Sequence, residues 1–330
     1  MLVYQTIIGG VGALVLALIF GKLLIPVLRR LKFGQEIREE GPKWHAKKSG
    51  TPTMGGLIFI IASVVMCAIC YTIGVLSGID VPAGSEILML LAVSVAFGVI
   101  GFVDDYIKVI LKRNLGLTAK QKFLLQLVVA IAFMFWAVYG EDISTVVKVP
   151  FTNLEADFGM FFIPFAVIVI LGTVNSVNLT DGLDGLATSI TIIVALFFMA
   201  FASFGTFPND AVALFAAILA GGLVGFLFYN KYPAKVFMGD TGSLFLGGAV
   251  CSMAILMEQP LALLIVGLVY VIETLSVILQ VISFKTTGKR LFKMSPIHHH
   301  FEMCGWSERK IVAVFTSVTA VLCALMYFFG

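Results

Sequence analysis

Long apolar runs separated by short polar segments recur ten times along the chain, at roughly 2–28, 55–77, 86–103, 122–139, 160–176, 185–205, 211–229, 243–257, 260–283 and 310–329. A helix needs about 20 consecutive apolar residues to cross the hydrocarbon of a bilayer. The pattern therefore predicts an all-α polytopic membrane protein of about ten transmembrane helices, forming a single integral membrane domain over 1–330. The eighth run is the weakest: at 1.5 Å per residue it spans only about 22 Å, so it must borrow flanking residues or thin the bilayer around it. One stretch departs from the helical pattern. Residues 143–158 alternate loosely around Pro150 and Thr152-Asn153, which predicts a short external β-hairpin.

Composition strengthens this picture. Of 330 residues, 60% are hydrophobic and 12% charged, against about 25% charged in soluble domains. Met1 to Phe20 has no basic flank and no small-residue cleavage site, so it reads as a retained first helix. Charge placement then orients the chain. The segments 29–54, 104–122, 230–242 and 284–310 hold 20 of the 22 lysines and arginines, while Lys148 lies in an opposite loop and Lys22 inside the first run. Basic loops face the cytoplasm, which puts those segments and the 177–184 turn inside and both termini outside. Cys67 and Cys70 lie in an apolar run with no His or acid beside them, so they read as small buried hydrophobes, and no disulfide framework is implied.

Candidate chemistry collects in the cytoplasmic segments. The third run stops on Asp104-Asp105, two neighbouring carboxylates that would each cost about 2.5–3.5 kcal/mol at a bilayer centre. They either mark where a helix leaves the lipid or belong to a metal or phosphate site. Asp104 and Lys108 share a face if the helix continues, with Lys112, Arg113, Lys120 and Lys122 following. Gly34 to Arg38, His45, Lys47 and Lys48 precede the turn Thr51-Pro52-Thr53-Met54-Gly55-Gly56, whose glycines could present N–H groups to an anion. Asn178, Asp181 and Asp184 lie in a glycine-flanked turn, Asn230 to Ser243 brings Asp240 just before a span, and His298-His299-His300 stand together. Three consecutive histidines cannot all point one way from a regular helix, so one or two phosphate donors are expected from them alongside the alternative of soft-metal binding. Glu273 lies mid-run, as a polar contact in a groove or a structural hydrogen bond at a bend.

Five aspartates, 104, 105, 181, 184 and 240, thus converge with many cations on one membrane face. At about 4 Å two like charges repel by roughly 4 kcal/mol at an effective dielectric of 20. One or two are therefore expected to hold Mg²⁺, some to pair with lysines, and others to accept hydrogen bonds from a sugar or base. An oxygen-rich set of this kind argues against zinc.

At these residues the chain closely resembles the polyprenyl-phosphate N-acetylhexosamine-1-phosphate transferase superfamily. The resemblance runs through Gly34 to Gly56, Asp104-Asp105, Asn178 to Gly185 and Asn230 to Ser243. Pro296-Ile297-His298-His299-His300-Phe301-Glu302 through Gly305-Trp306 is similar to its phospho-N-acetylmuramoyl-pentapeptide transferase branch. The resemblance implies a ten-helix, homodimeric enzyme of the bacterial inner membrane. It would transfer phospho-MurNAc-pentapeptide from UDP-MurNAc-pentapeptide to undecaprenyl phosphate, giving lipid I and UMP, with the active site facing the cytoplasm. It implies that Asp240 holds Mg²⁺ and that Asp104 and Asp105 are needed for turnover. Asn230 and Phe237 would hold uracil, and Lys108, Lys120, Asn178, Asp181, Asp184 and His299 would line the same cleft, with His298 and His300 beside it. No nucleic-acid partner is expected. The alternatives are a sister UDP-HexNAc transferase and a lipid-linked sugar transporter; the latter should carry polar residues through the bilayer, whereas here they gather at one side.

Overall fold

A computed structural model describes residues 2–31, 50–76, 84–110, 116–205 and 208–330. Gly34 to Arg38, His45, Lys47, Lys48, Lys112 and Arg113 lie outside the described residues. Among the described residues, ten helices are long and apolar enough to cross a membrane: α1 (Leu2–Arg30), α2 (Gly56–Leu76), α3 (Gly84–Ile110), α4 (Ala119–Gly140), α5 (Phe162–Thr180), α6 (Leu186–Phe204), α7 (Asp210–Asn230), α8 (Gly239–Leu256), α10 (Leu268–Thr287) and α12 (Glu308–Phe329). The described residues also form two short α-helices, α9 (Leu263–Val266) and α11 (Ile297–Met303). The hairpin predicted over 143–158 forms as strands β1 (Val146–Lys148) and β2 (Glu155–Asp157), antiparallel with Val147 opposite Ala156. The chain is a multi-pass membrane protein.

α8 is the centre of the bundle. It packs against α2, α3, α5 and α6, and every residue from Thr241 to Leu256 is buried. Its position explains why its apolar run is the weakest in the sequence. A helix enclosed by protein on all sides need not be greasy enough for lipid; it needs small residues that let neighbours approach. A Cβ on Gly56 would fall 2.3 Å from the Gly242 Cα, and one on Gly101 would fall 2.0 Å from the Asp240 carbonyl oxygen. Backbones of α2 and α3 thus lie directly against the first turn of α8. Around this centre, α1 packs on α7 and α6 on α7, while α1, α4, α10 and α12 leave residues such as Leu23, Val128, Ile282 and Val321 exposed, as lipid-facing helices do.

Three boundaries differ from the expectation. α3 does not stop at 103 but continues through Asp104-Asp105 to Ile110, because the two carboxylates find partners inside the bundle. α8 begins at Gly239, four residues before its apolar run, since Asp105 satisfies its first N–H groups. The run 260–283 is not one helix: a 3₁₀ turn at Pro260–Ala262 and α9 precede α10, with the break at Gly267.

Candidate active site

Because α3 stays helical, Asp104, Asp105 and Lys108 arrive together at the first turn of α8. One carboxylate oxygen from each of Asp104, Asp105 and Asp240 lies within 4.8 Å of the others. Asp104 and Asp105 are buried and Asp240 is half-buried. The three acids play different parts. Asp105 accepts hydrogen bonds from the Asp240 N–H at 3.2 Å, the Thr241 N–H at 2.9 Å and the Thr241 hydroxyl at 2.7 Å. It therefore caps α8 from a neighbouring helix, where a negative charge also suits the helix dipole. Asp104 accepts from the Leu117 N–H at 2.7 Å and pairs with Lys108 one turn on. Asp240 is the hub. Its Oδ2 is 2.9 Å from both the Lys108 and the Lys122 Nζ, and its Oδ1 accepts from the Asn178 amide at 2.9 Å. The same amide donates to Ser243 Oγ at 2.7 Å.

Asp181 follows Asn178 in the loop between α5 and α6. Its carboxyl is pushed well above the usual range, first by burial and then by the like charges of Asp240, Asp105 and Asp184. Asp184 is buried and accepts from the Ala234 N–H at 3.0 Å, which fastens the α7–α8 loop to the α5–α6 loop. Asn230, the last residue of α7, ties α6 to the α7–α8 loop: its Oδ1 accepts from the Thr188 hydroxyl at 2.7 Å and its amide donates to the Val236 carbonyl at 3.1 Å. Both ends of the Asn230 side chain thus bond within the protein. Phe237 is half-buried beside it, with its backbone bonded to Pro52 and Gly55.

That last contact overturns one expectation. The N–H groups of Gly55 and Gly56 are not offered to an anion; they donate to the Phe237 and Met238 carbonyls at 2.8 and 2.9 Å. Gly56 is needed for close packing against Gly242 of α8, and Gly55 for close approach to Val236 and Phe237 in the loop before it.

The histidines diverge, as consecutive residues on a helix must. His298 Nδ1 meets Glu273 Oε2 at 3.0 Å, His299 Nδ1 meets Glu302 Oε2 at 2.7 Å, and His300 Nδ1 accepts from the Lys293 N–H at 3.2 Å. His298 turns toward the acidic site: a Cβ on Gly182 would sit 2.2 Å from its Nε2. Among cations, Lys120 stands exposed on the first turn of α4, and Lys122 reaches Asp240. Lys122 could have been singled out from the sequence. It lies four residues before Gln126, which begins the buried stripe Gln126, Ala130, Phe133, Met134 and Ala137, whereas Lys120 is turned about 200° away at 100° per residue.

The donor set suits a hard cation. All three clustered candidate ligands are carboxylates, the oxygen donors that a hard divalent ion prefers.

Ten membrane-length helices with an acid, lysine and amide cluster at one end define a class of membrane transferases, and residues 86–258 match the family model described as glycosyl transferase family 4. Residues 48–60 match the phospho-N-acetylmuramoyl-pentapeptide-transferase signature 1. The phospho-N-acetylmuramoyl-pentapeptide-transferase of Halalkalibacterium halodurans is 50% identical over 305 residues, 92% of this chain and 91% of the relative. That of Clostridium botulinum, strain Eklund 17B, is 52% identical over 311 residues, 94% of this chain and 91% of the relative. With such likeness along nearly its whole length, the chain belongs to the phospho-N-acetylmuramoyl-pentapeptide-transferase family.

Proposed function

We propose that this enzyme transfers phospho-MurNAc-pentapeptide from UDP-MurNAc-pentapeptide to undecaprenyl phosphate, releasing UMP and forming lipid I for peptidoglycan synthesis. The observation that carries the reading is the meeting of Asp104, Asp105, Asp240, Lys108, Lys122 and Asn178 at one end of the spans, in a chain about half identical to enzymes of that name. A site shared by a water-soluble sugar nucleotide and a membrane-held phosphate belongs at the end of the helices. The basic segments argue that this end faces the cytoplasm. A homodimer is part of the proposal on the family resemblance.

Phosphoryl transfer depends mainly on positioning and charge neutralisation. Asp240, joined by Asp104, would hold Mg²⁺, which when bound draws charge off the diphosphate. Lys108 and Lys122 fix the Asp240 carboxylate, and each can turn to a phosphate oxygen. Asp105 keeps the first turn of α8 in place. Asp104 positions the attacking lipid phosphate or takes its proton. That phosphate has its second pKa near 6 and is largely dianionic at neutral pH, so direct attack on the sugar-linked phosphorus needs no covalent enzyme intermediate. Asp181 and Asp184 face the sugar, Phe237 offers a flat face for uracil, Lys120 meets the nucleotide at the mouth, and His299 and His300 flank the cleft.

The test is UMP release by purified protein given UDP-MurNAc-pentapeptide, undecaprenyl phosphate and Mg²⁺. Stoichiometric formation of lipid I is expected, with no product from UDP-GlcNAc. Turnover of UDP-GlcNAc in preference would assign the chain to a sister activity. A burst of UMP without lipid, leaving sugar phosphate on the protein, would refute direct attack.

A further inference from the structure

Lys122 on α4 and Asn178 on α5 grip the two oxygens of the Asp240 carboxylate, yet α4 is a rim helix. It packs chiefly on α5 and α3 and leaves Phe123, Leu124, Leu125 and Val128 exposed. One turn further into the bundle a second polar pair joins α4 to α5. Gln126 lies four residues after Lys122, and Asn175 three before Asn178; at 1.5 Å per residue these are steps of about 6 and 4.5 Å along two antiparallel helices. There the Asn175 amide donates to Gln126 Oε1 and to the Leu171 carbonyl, each at 2.8 Å. A carbonyl only accepts, so the Asn175 atom beside it is nitrogen, and the Gln126 atom facing that nitrogen is oxygen. Gln126 is 1% exposed, and its Nε2 is left buried with no hydrogen-bond partner. For stability alone the arrangement is a poor one. A dry orphan donor costs more than an interhelical hydrogen bond in a membrane typically returns, so an apolar side chain of the same length would suit the packing better.

We propose that Gln126 is a positioning residue for the transfer: bonded to Asn175, it fixes α4 against α5 so that Lys122 is held in register with Asn178 at the Asp240 carboxylate. The inference rests on the transferase reading. Asn175 is the anchored member, since its second amide hydrogen ties it to its own helix, and Gln126 is the arm that crosses. The link matters during turnover. Lys122 exchanges Asp240 for a phosphate oxygen as charge grows on the departing UMP, and a rim helix tied by that ion pair alone would lose its tie at that moment. The amide pair is neutral and stays made throughout, so the lysine swings while its helix stays in place. A donor displaced by about 1 Å from a developing charge loses much of its effect on the rate.

The experiment measures UMP release and thermal unfolding in detergent for wild type, Gln126→Met, Lys122→Met, their double variant, Gln126→Asn, and the exchange of Gln126→Asn with Asn175→Gln. Methionine matches glutamine in length and removes the amide. The kcat of Gln126→Met should fall by at least about tenfold while KM for UDP-MurNAc-pentapeptide moves by less than about threefold, since an interaction made in the transition state lowers kcat and kcat/KM together. Its melting temperature should not fall, because the orphan donor is removed along with the bond. Added to Lys122→Met, the same change should alter kcat by less than about twofold, because it acts through the lysine and residues acting as a unit are not additive. Gln126→Asn shortens the arm and should also lose activity; Asn175→Gln restores the span, so the exchange should be at least about threefold faster than Gln126→Asn alone. A Gln126→Met enzyme within about twofold of wild type, equal losses with and without Lys122, a melting temperature that falls with the activity, or an exchange no faster than Gln126→Asn overturns the proposal while the transferase reading stands. A wild type that releases no UMP overturns both.

Discussion

Replacing Gly101 with alanine would test whether the crossing of α3 and α8 sets the carboxylate geometry. The added Cβ would lie 2.0 Å from the Asp240 carbonyl oxygen, where ordinary contact begins at 3.4 Å. The helices must therefore part by about 3.4 − 2.0 = 1.4 Å at the point where one carries Asp104 and Asp105 and the other Asp240. Overpacking of this kind costs about 1–3 kcal/mol, while Gly to Ala within a helix returns about 1 kcal/mol of propensity, so the melting temperature should fall only modestly. Activity should suffer more, because a misplacement of about 1 Å can cost roughly 100-fold in rate. Gly98→Ala is the control: it meets the Phe245 Cβ at 3.2 Å, a deficit of 0.2 Å. We expect Gly101→Ala to lose about 100-fold in kcat and Gly98→Ala to stay within about threefold of wild type, by UMP release at saturating substrates. A Gly101→Ala enzyme as active as the control would show that the site does not depend on this crossing.

Lys122→Met should lower kcat by about 100-fold, the scale of losing one aimed donor, whereas Lys120→Met should chiefly raise KM for the sugar nucleotide; the reverse pattern would return Lys120 to the centre of the site. Asp240→Asn preserves the shape of the side chain but removes the charge, so activity should fall and the half-saturating Mg²⁺ concentration should rise by at least about tenfold. Full activity at the wild-type Mg²⁺ requirement would remove Asp240 from the metal site. In a background with the exposed Cys304 replaced by serine, an impermeant thiol reagent added to intact cells should label Asn153→Cys in the hairpin turn and not Lys289→Cys; labelling of Lys289→Cys would invert the orientation.

The spans were legible because the bilayer imposes a length that the apolar runs must match, and the 143–158 hairpin because its alternation interrupts them. What the pattern could not convey was enclosure. α8 looks marginal as a lipid-facing helix and is the most deeply set helix of the bundle, while α3 continues past its apolar run because a partner helix accepts its acids. The aspartates, Lys108 and Asn178 could be gathered from their clustering at one face. Their division of labour could not, since Asp105 as a cap and Asp240 as a hub depend on contacts across more than 100 residues. The partner of Glu273 was hidden for the same reason, 25 residues away across a break in helix. Lys122 was missed although the stripe through Gln126 pointed to it.

Asp105 closes the N-terminus of a helix to which it does not belong, and that has a bearing on how the enzyme should fail. The arms of the site are not separately hinged. Whatever loosens α3 withdraws the acceptor for the Asp240 and Thr241 N–H groups, and whatever unwinds the first turn of α8 strands the Asp105 carboxylate in the interior. Heat or a harsh detergent should therefore dismantle the carboxylate cluster in a single cooperative event, with activity vanishing at the same temperature as the α3–α8 contact rather than fading ahead of it.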